Sequence, residues 1–263
     1  MFAQPPGRIQ DSPLHLRLLI REVVVAKKQN FLIVQHMDWE GPGAHLLEAL
    51  EAGEVSYRLL EAWHEPLPRL DSFTGMIVLG GSPNVDEEEQ FPYLRPLKAA
   101  IREVIAGGKA YLGFCLGHQL LGHVLGCRVG PLPNKSVGFI TGELTPAGRA
   151  HSAFQGLPSP LDLFKWHGQG VLPPLTPGVD ILAHSAAAPV EALGLAGNPR
   201  VVGLQYDNHA GTRDVEKWLE HDGRWALSGS GAEPQTMLNT SAEKDATIGR
   251  LFRQFMGNFL QLA

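Results

Sequence analysis

The chemistry in this sequence gathers around one cysteine. The stretch KAYLGFCLGHQLLGHVLG, residues 109–126, reads as a short apolar strand (Ala110 to Phe114), a sharp turn at Cys115 and an amphipathic helix ending near Gly126. Gly113-x-Cys115-x-Gly117 is the cysteine form of a nucleophile elbow. A nucleophile on a strand-to-helix turn sits in strained backbone, so small residues are needed two positions away on either side. The helix N-terminus placed at Cys115 favours a thiolate through its dipole and free N–H groups. The same five residues also suit a plain buried cysteine in a β-α turn. A second signal is Gly80-Gly81, directly after the apolar run Met76 to Leu79. Glycines at a strand end let backbone N–H groups approach a ligand closely, as an oxyanion hole demands. A simple β-turn is the alternative.

The elements that must position these residues alternate. Phe31 to Val34 suits a buried strand, followed by the loop QHMDWEGPG and a helix from Ala44 to Ala52 stopped by Gly53. Val55, Tyr57 and Leu59 alternate as a second strand, and Met76 to Leu79 forms a third. The acidic run Asp86 to Glu89 reads as solvated surface, and a helix follows to Ala106. Strands and helices at this spacing imply right-handed βαβ units. Ligands then collect at the carboxyl ends of the strands, where Gly81 and Cys115 both fall. Beyond Gly126 the rhythm changes. Residues 137–144, 161–166, 180–184, 190–195 and 200–206 are strand candidates without long helices between them, which implies an antiparallel extension of the sheet. Asn198-Pro199 reads as the turn between the last two. A helix over 213–220, a loop-like stretch at 228–241 and a closing helix with apolar residues every three or four positions complete the chain.

Composition removes several function classes. The 263 residues suit one large α/β domain, here 30–263, preceded by an N-terminal extension at 1–29 without convincing structure. A net charge of -5 offers no basic stripe for nucleic acid. No apolar run reaches membrane-spanning length, and the N-terminus lacks the order of a secretory signal. With only Cys115 and Cys127 a disulfide framework is not expected, which fits a reducing, cytoplasmic setting. Cys127 reads as a packed thiol. The histidines are too scattered for a metal site, and no nucleotide-binding loop of the Gly-x-x-x-x-Gly-Lys type is present.

Read together, Gly80-Gly81, GFCLGHQ and GLQYDNH give a chain that resembles the class I glutamine amidotransferase family. Within it the chain is similar to free-standing members like the amidotransferase domain of GMP synthase. The likeness extends over about 30–262 and includes QHxxxEGPG, SPNVDEEEQFPYL, VGFITGELTP and KWHGQGVLPP, where the family tends to show Trp-His-x-Asp before a Leu-Pro pair. The resemblance implies a three-layer α/β fold of flavodoxin-like type, with a mostly parallel central sheet flanked by helices. It implies hydrolysis of the L-glutamine side-chain amide through a thioester on Cys115, with no cofactor. The N–H groups of Gly81 and Leu116 would hold the oxyanion. Gln119, Val137, Gly138 and His167 match positions that contact the substrate or line its pocket. His118, on the elbow helix, reads as packing. With no synthetase domain in the chain, an ammonia acceptor would sit on a separate subunit.

The departure is at the third part of the triad. The family ends a strand with Gln-x-His-Pro-Glu, the histidine as base and the glutamate orienting it. Here the residues are Gln205-Tyr206-Asp207-Asn208-His209. Two readings stay open. The pair is exchanged, His209 reaching Cys115 from the same side of an extended segment with Asp207 orienting it. Alternatively the triad is broken, and Asp207 repels the thiolate. The first gives a working amidotransferase or a hydrolase of γ-glutamyl amides; the second gives a glutamine-site binding or regulatory subunit.

Overall fold

The computed structural model describes residues 28–263. The segment read as an N-terminal extension therefore lies outside the described residues, except Lys28 and Gln29. Gln29 is tied to the other end of the chain: its side-chain amide donates to the carbonyls of Leu260 and Ala263.

Among the described residues nine strands form one sheet: β1 (Asn30–Gln35), β2 (Ser56–Glu61), β3 (Gly75–Val78), β4 (Ala110–Phe114), β5 (Arg128–Leu144), β6 (Leu161–Leu172), β7 (Val179–Ser185), β8 (Ala192–Leu195) and β9 (Asn198–Leu204). Their spatial order is β2-β1-β3-β4-β9-β8-β7-β5-β6. From β2 to β9 every pairing is parallel, and from β9 to β6 every pairing is antiparallel. The sheet thus has a parallel half that carries the elbow and an antiparallel half that walls it. Phe31 to Val34 are fully buried, as a strand covered on both faces requires. On one face α1 (Ala44–Ala52) and α6 (Pro234–Leu260) bury Leu46, Leu50, Phe252, Phe255 and Phe259 against Phe31, Ile33 and Leu112. On the other, α2 (Leu94–Ala106) and α3 (Leu116–Val124) bury Leu97, Ile101, Leu120 and Leu121 against Leu32, Met76 and Tyr111. The short α4 (Pro146–Ala150) packs near β7. A third apolar cluster joins α5 (Thr212–Leu227) to β6 through Trp218, Phe164 and Trp166.

Four sequence expectations move. Residues 234–241 are the first two turns of α6, not loop: Pro234 stands at the first helical position, where its missing N–H costs nothing, and Met237 and Ser241 are buried. The turn between the last two strands is Ala196-Gly197, with Gly197 at φ +75°, while Asn198 already pairs with Leu195 and Pro199 lies inside β9. The expected strand at 137–144 begins at Arg128; its proline-bearing first part pairs with the end of β6, and the register breaks between Pro131 and Ser136. The helix expected over 213–220 runs on to Leu227, which brings its last two turns to the mouth of the site described next.

Candidate active site

Cys115 adopts φ 45°, ψ -102°, a region that L side chains rarely occupy, at the point where β4 becomes α3. Such backbone costs on the order of 1–3 kcal/mol and persists only when its surroundings fix it. Here they do. The Cys115 N–H donates to Leu204 O at 2.9 Å, and the Gly117 N–H donates to Leu79 O at 3.2 Å. The Tyr111 hydroxyl closes the turn by donating to Gly117 O at 2.8 Å. A Cβ on Gly113 would stand 2.5 Å from Gly117 backbone atoms, and one on Gly117 would overlap the Val78 carbonyl oxygen. Backbone cannot move aside as a flexible side chain can. Gly117→Ala is therefore expected to lower unfolding free energy by about 2 kcal/mol, measured by urea denaturation.

Cys115 opens into a cavity of about 370 Å³, lined on its inner side by Glu40, Gly81, Gln119, Trp166 and His167. Leu116 is the first residue of α3, so its N–H has no partner within the helix, and it points its hydrogen bond at the sulfur. Gly81 packs so tightly that a Cβ would lie 2.5 Å from His36 Cβ. His36, buried and hydrogen-bonded to the Tyr93 hydroxyl at 3.1 Å, is kept neutral by desolvation, its pKa down at about 3. It acts as a rigid floor for the glycine turn. The outer wall comes from Lys135 and from α5. The Lys135 ammonium donates to the carbonyls of Trp225 and Ser228 and lies 4.5 Å above the Trp225 ring, while Asp222 accepts the Trp166 indole N–H at 3.0 Å.

The expected site residues divide into those on the cavity and those behind it. Gln119 lines it and donates its side-chain amide to Gln169 O at 3.0 Å and Gln205 Oε1 at 3.3 Å. His167 lines it too. Its Nδ1–H donates to Gln169 O at 2.8 Å, which leaves Nε2 as a buried acceptor without a partner among the described residues. Burial holds its pKa well below the usual imidazole range. Val137 and Gly138 do not line the cavity: they pair with Trp166 and Lys165 across the β5–β6 ladder and support its wall from outside. His118 is fully buried against Gly203, a packing position. Cys127 is buried with its sulfur 3.6 Å from the Thr176 hydroxyl.

Asp207 and His209 meet, but not along an extended strand. Strand β9 ends at Leu204, and residues 207–210 form a turn closed by Ala210 N–H to Asp207 O at 2.9 Å. His209 Nε2 lies 3.7 Å from Asp207 Oδ1. Its Nδ1 accepts the Gly43 N–H at 3.2 Å, so the ring's hydrogen belongs on Nε2, facing the carboxylate. The His209 carbonyl also accepts from the His45 and Leu46 N–H groups, so this residue caps α1 with both ring and backbone. His209 forms no hydrogen bond with Cys115 among the described residues. Of the two, Asp207 is the one whose charge reaches the sulfur. Its own pKa is raised, by burial first, against the opposing influence of His209 and Lys165.

The Leu116 N–H at the head of α3 favours the thiolate, as the sequence implied, but it is outweighed. Burial, then the charges of Asp207 and Glu40, push the Cys115 thiol well above its ordinary range, outweighing Lys165 and the Leu116 N–H. Two contributors went unread in the sequence. Lys165 and Glu191 form a fully buried ion pair, with Ser185 donating its hydroxyl to Glu191 at 2.5 Å. Glu40 sits in the loop after β1. An acid in a βα loop at the carboxyl end of a parallel sheet was the signal available for it.

Among the described residues no three His, Cys, Asp or Glu side chains gather as a metal-ligand set, and no helix is long and apolar enough to cross a membrane.

Comparison with known proteins bears on the same residues. The family profile described as glutamine amidotransferase class-I matches residues 45–209. The glutamine amidotransferase-like protein YfeJ of Salmonella typhimurium is 32% identical over 193 residues, 72% of this chain and 79% of that one. A glutamine-hydrolyzing GMP synthase subunit of Saccharolobus solfataricus is 29% identical over 162 residues, 60% of this chain and 77% of that one. The crystal structure of a glutamine amidotransferase from Thermotoga maritima shares the fold, with a TM-score of 0.81 at 24% identity, over 89% of this chain and 99% of its own. The chain belongs to the class-I glutamine amidotransferase family.

Proposed function

We propose that this chain hydrolyses the side-chain amide of L-glutamine through a thioester on Cys115 and passes the ammonia to an acceptor on a separate chain. The observation that carries the reading is the strained cysteine at the head of α3, open to a cavity lined by Gly81 and with the Leu116 N–H directed at its sulfur. In this scheme the Cys115 sulfur attacks the amide carbon and its proton passes to Asp207. The N–H groups of Gly81 and Leu116 hold the oxyanion, each for a few kcal/mol. His209 keeps Asp207 in place. Gln119 and His167 bind the amino-acid end of the substrate. An acceptor on a separate chain is supported by the likeness to a protein that is itself one subunit of a GMP synthase.

The test is incubation with glutamine, reading glutamate and ammonia, together with alkylation by a glutamine chloromethyl ketone. Labelling confined to Cys115, with free glutamine protecting, is the expected result. Labelling elsewhere, or none, overturns it.

Two other readings each have one observation behind them. His209 is held beside Asp207 and makes no hydrogen bond to Cys115 among the described residues, which favours a chain that binds glutamine without cleaving it, in a regulatory role. That reading predicts protection of Cys115 by glutamine but no ammonia with any partner. The extension of the cavity outward to Lys135 and Trp225 favours γ-glutamyl amides with a bulky amine. That reading predicts faster turnover of such amides than of glutamine, without a partner.

A further inference from the structure

The scheme above leaves two acids of the cavity unused, and one of them, Asp222, is occupied by the Trp166 indole N–H. Glu40 lines the cavity although it is only 5% exposed, and its carboxyl takes no hydrogen bond among the described residues. Burial, followed by the charges of Asp207 and Asp222, raises its pKa well above the usual carboxylate range, which favours the protonated carboxyl. Its place is fixed by the glycine turn. A Cβ on Gly80 would overlap Glu40 Oε1 and stand 3.3 Å from Cys115 Cβ. The carboxyl, the nucleophile and the turn that carries Gly81 therefore converge on one point of the cavity floor. Only glycine at position 80 leaves the carboxyl room to be there.

We propose that Glu40 is a catalytic residue, the proton donor to the nitrogen that leaves the tetrahedral intermediate. The proposal rests on the reading that Cys115 cleaves an amide. Cleavage of the C–N bond would expel an amide anion, and only a proton delivered to nitrogen makes departure feasible. The other titratable groups at the site are engaged elsewhere. Asp207, behind the cavity wall, has already taken the proton of the thiol. Lys135 is held on the outer wall by the carbonyls of Trp225 and Ser228, and Asp222 accepts the Trp166 indole N–H. His167 spends its only ring hydrogen on Gln169 O, and Nε2 is an acceptor. Gln119 is an amide. In the first half-reaction the S–C bond forms as the thiol proton moves to Asp207. The oxyanion then collapses, the C–N bond breaks, and the Glu40 proton goes to nitrogen, giving ammonia, the thioester and a Glu40 carboxylate. A water molecule then attacks the thioester while Glu40 takes back a proton from it, and the departing sulfur recovers its own from Asp207.

Dependence on the leaving group separates this role from a structural one. Glu40→Gln keeps the size of the side chain and removes the acidic proton. With glutamine as substrate, kcat is expected to fall about 100-fold. With glutamate γ-(4-nitrophenyl) ester, whose nitrophenolate departs unprotonated, the pre-steady-state burst is expected to slow less than about threefold. Alkylation of Cys115 by the chloromethyl ketone should persist in the variant. An equal loss on amide and ester, or no loss on either, with alkylation intact, overturns the role of Glu40 alone. A wild-type chain that is neither alkylated nor active on glutamine overturns the amide-cleavage reading and this role with it.

Discussion

Cys115→Ala is expected to lower ammonia release from glutamine by at least about 10⁴-fold while leaving the fold intact, because everything else in the site acts on a bond that only the sulfur forms. Alanine is smaller than cysteine and keeps the same backbone requirements. The turn is held by the Cys115 N–H to Leu204, the Gly117 N–H to Leu79 and the Tyr111 hydroxyl, none of which involves the sulfur. Urea midpoints of the two chains should therefore agree closely. Glutamine should still protect the cavity-lining Trp166 and Trp225 from fluorescence quenchers in the variant. The sulfur also carries a pH signature in the wild type. Its thiol is pushed up by burial, then by Asp207 from the β9–α5 turn and Glu40 from the β1–α1 loop, with Lys165 of β6 acting in the opposite sense. Alkylation of the free protein by a small neutral reagent is thus expected to rise about tenfold per pH unit through neutrality. A rate already level below pH 7 would show a thiolate that the carboxylates do not oppose. Residual glutamine turnover in Cys115→Ala within tenfold of wild type would remove the thioester.

How far the sequence revealed this site depended on whether backbone or side chains set the constraint. The elbow was legible because three small residues at fixed spacing record how closely α3 approaches β3 and β4. The alternation of β1, α1, β3 and β4 was legible because strands buried on both faces are apolar throughout. The long β5 hid its first part because Pro131 and Pro133 argue against a strand, yet the register break beside them is where the ladder tolerates prolines. The start of α6 hid behind polar residues, although Pro234 is a helix-start signal when read by position. Lys165 was out of reach, and Glu40 was legible only as an acid in a βα loop, for another reason. Their significance comes from burial beside Cys115, and nothing local in QHMDWEGPG or FKWH states what will cover them. The same limit applied to the pair 207 and 209. An extended segment would place both side chains on one side of a strand, but the 207–210 turn sets their relation through contacts with α1, a helix more than 150 residues earlier in the chain.

That turn fixes an order of effects. Asp207→Asn is expected to reduce glutamine turnover about 10³-fold, whereas His209→Gln should reduce it less than about tenfold. Asparagine has nearly the shape of aspartate but takes no proton, so the thiol loses its acceptor. Among the described residues neither Asp207 oxygen has a hydrogen-bond partner within ordinary range, and the nearest polar contact is His209 Nε2 at 3.7 Å, so stability should change little. His209 contributes differently. Its ring joins the Gly43 N–H at the head of α1 to the Asp207 carboxylate and lies against Phe114 and Trp218, with ring centroids 4.6 and 6.1 Å away. Its removal loosens a helix cap, for about 1 kcal/mol of stability, and lets Asp207 wander, but leaves the proton acceptor present. Kinetics and urea denaturation on the same two variants decide the matter. A stable His209→Gln chain as inactive as Asp207→Asn would make the imidazole the base, the exchanged arrangement with a ring that swings toward the sulfur once substrate is bound. A fully active Asp207→Asn chain would remove Asp207 as the acceptor of the thiol proton.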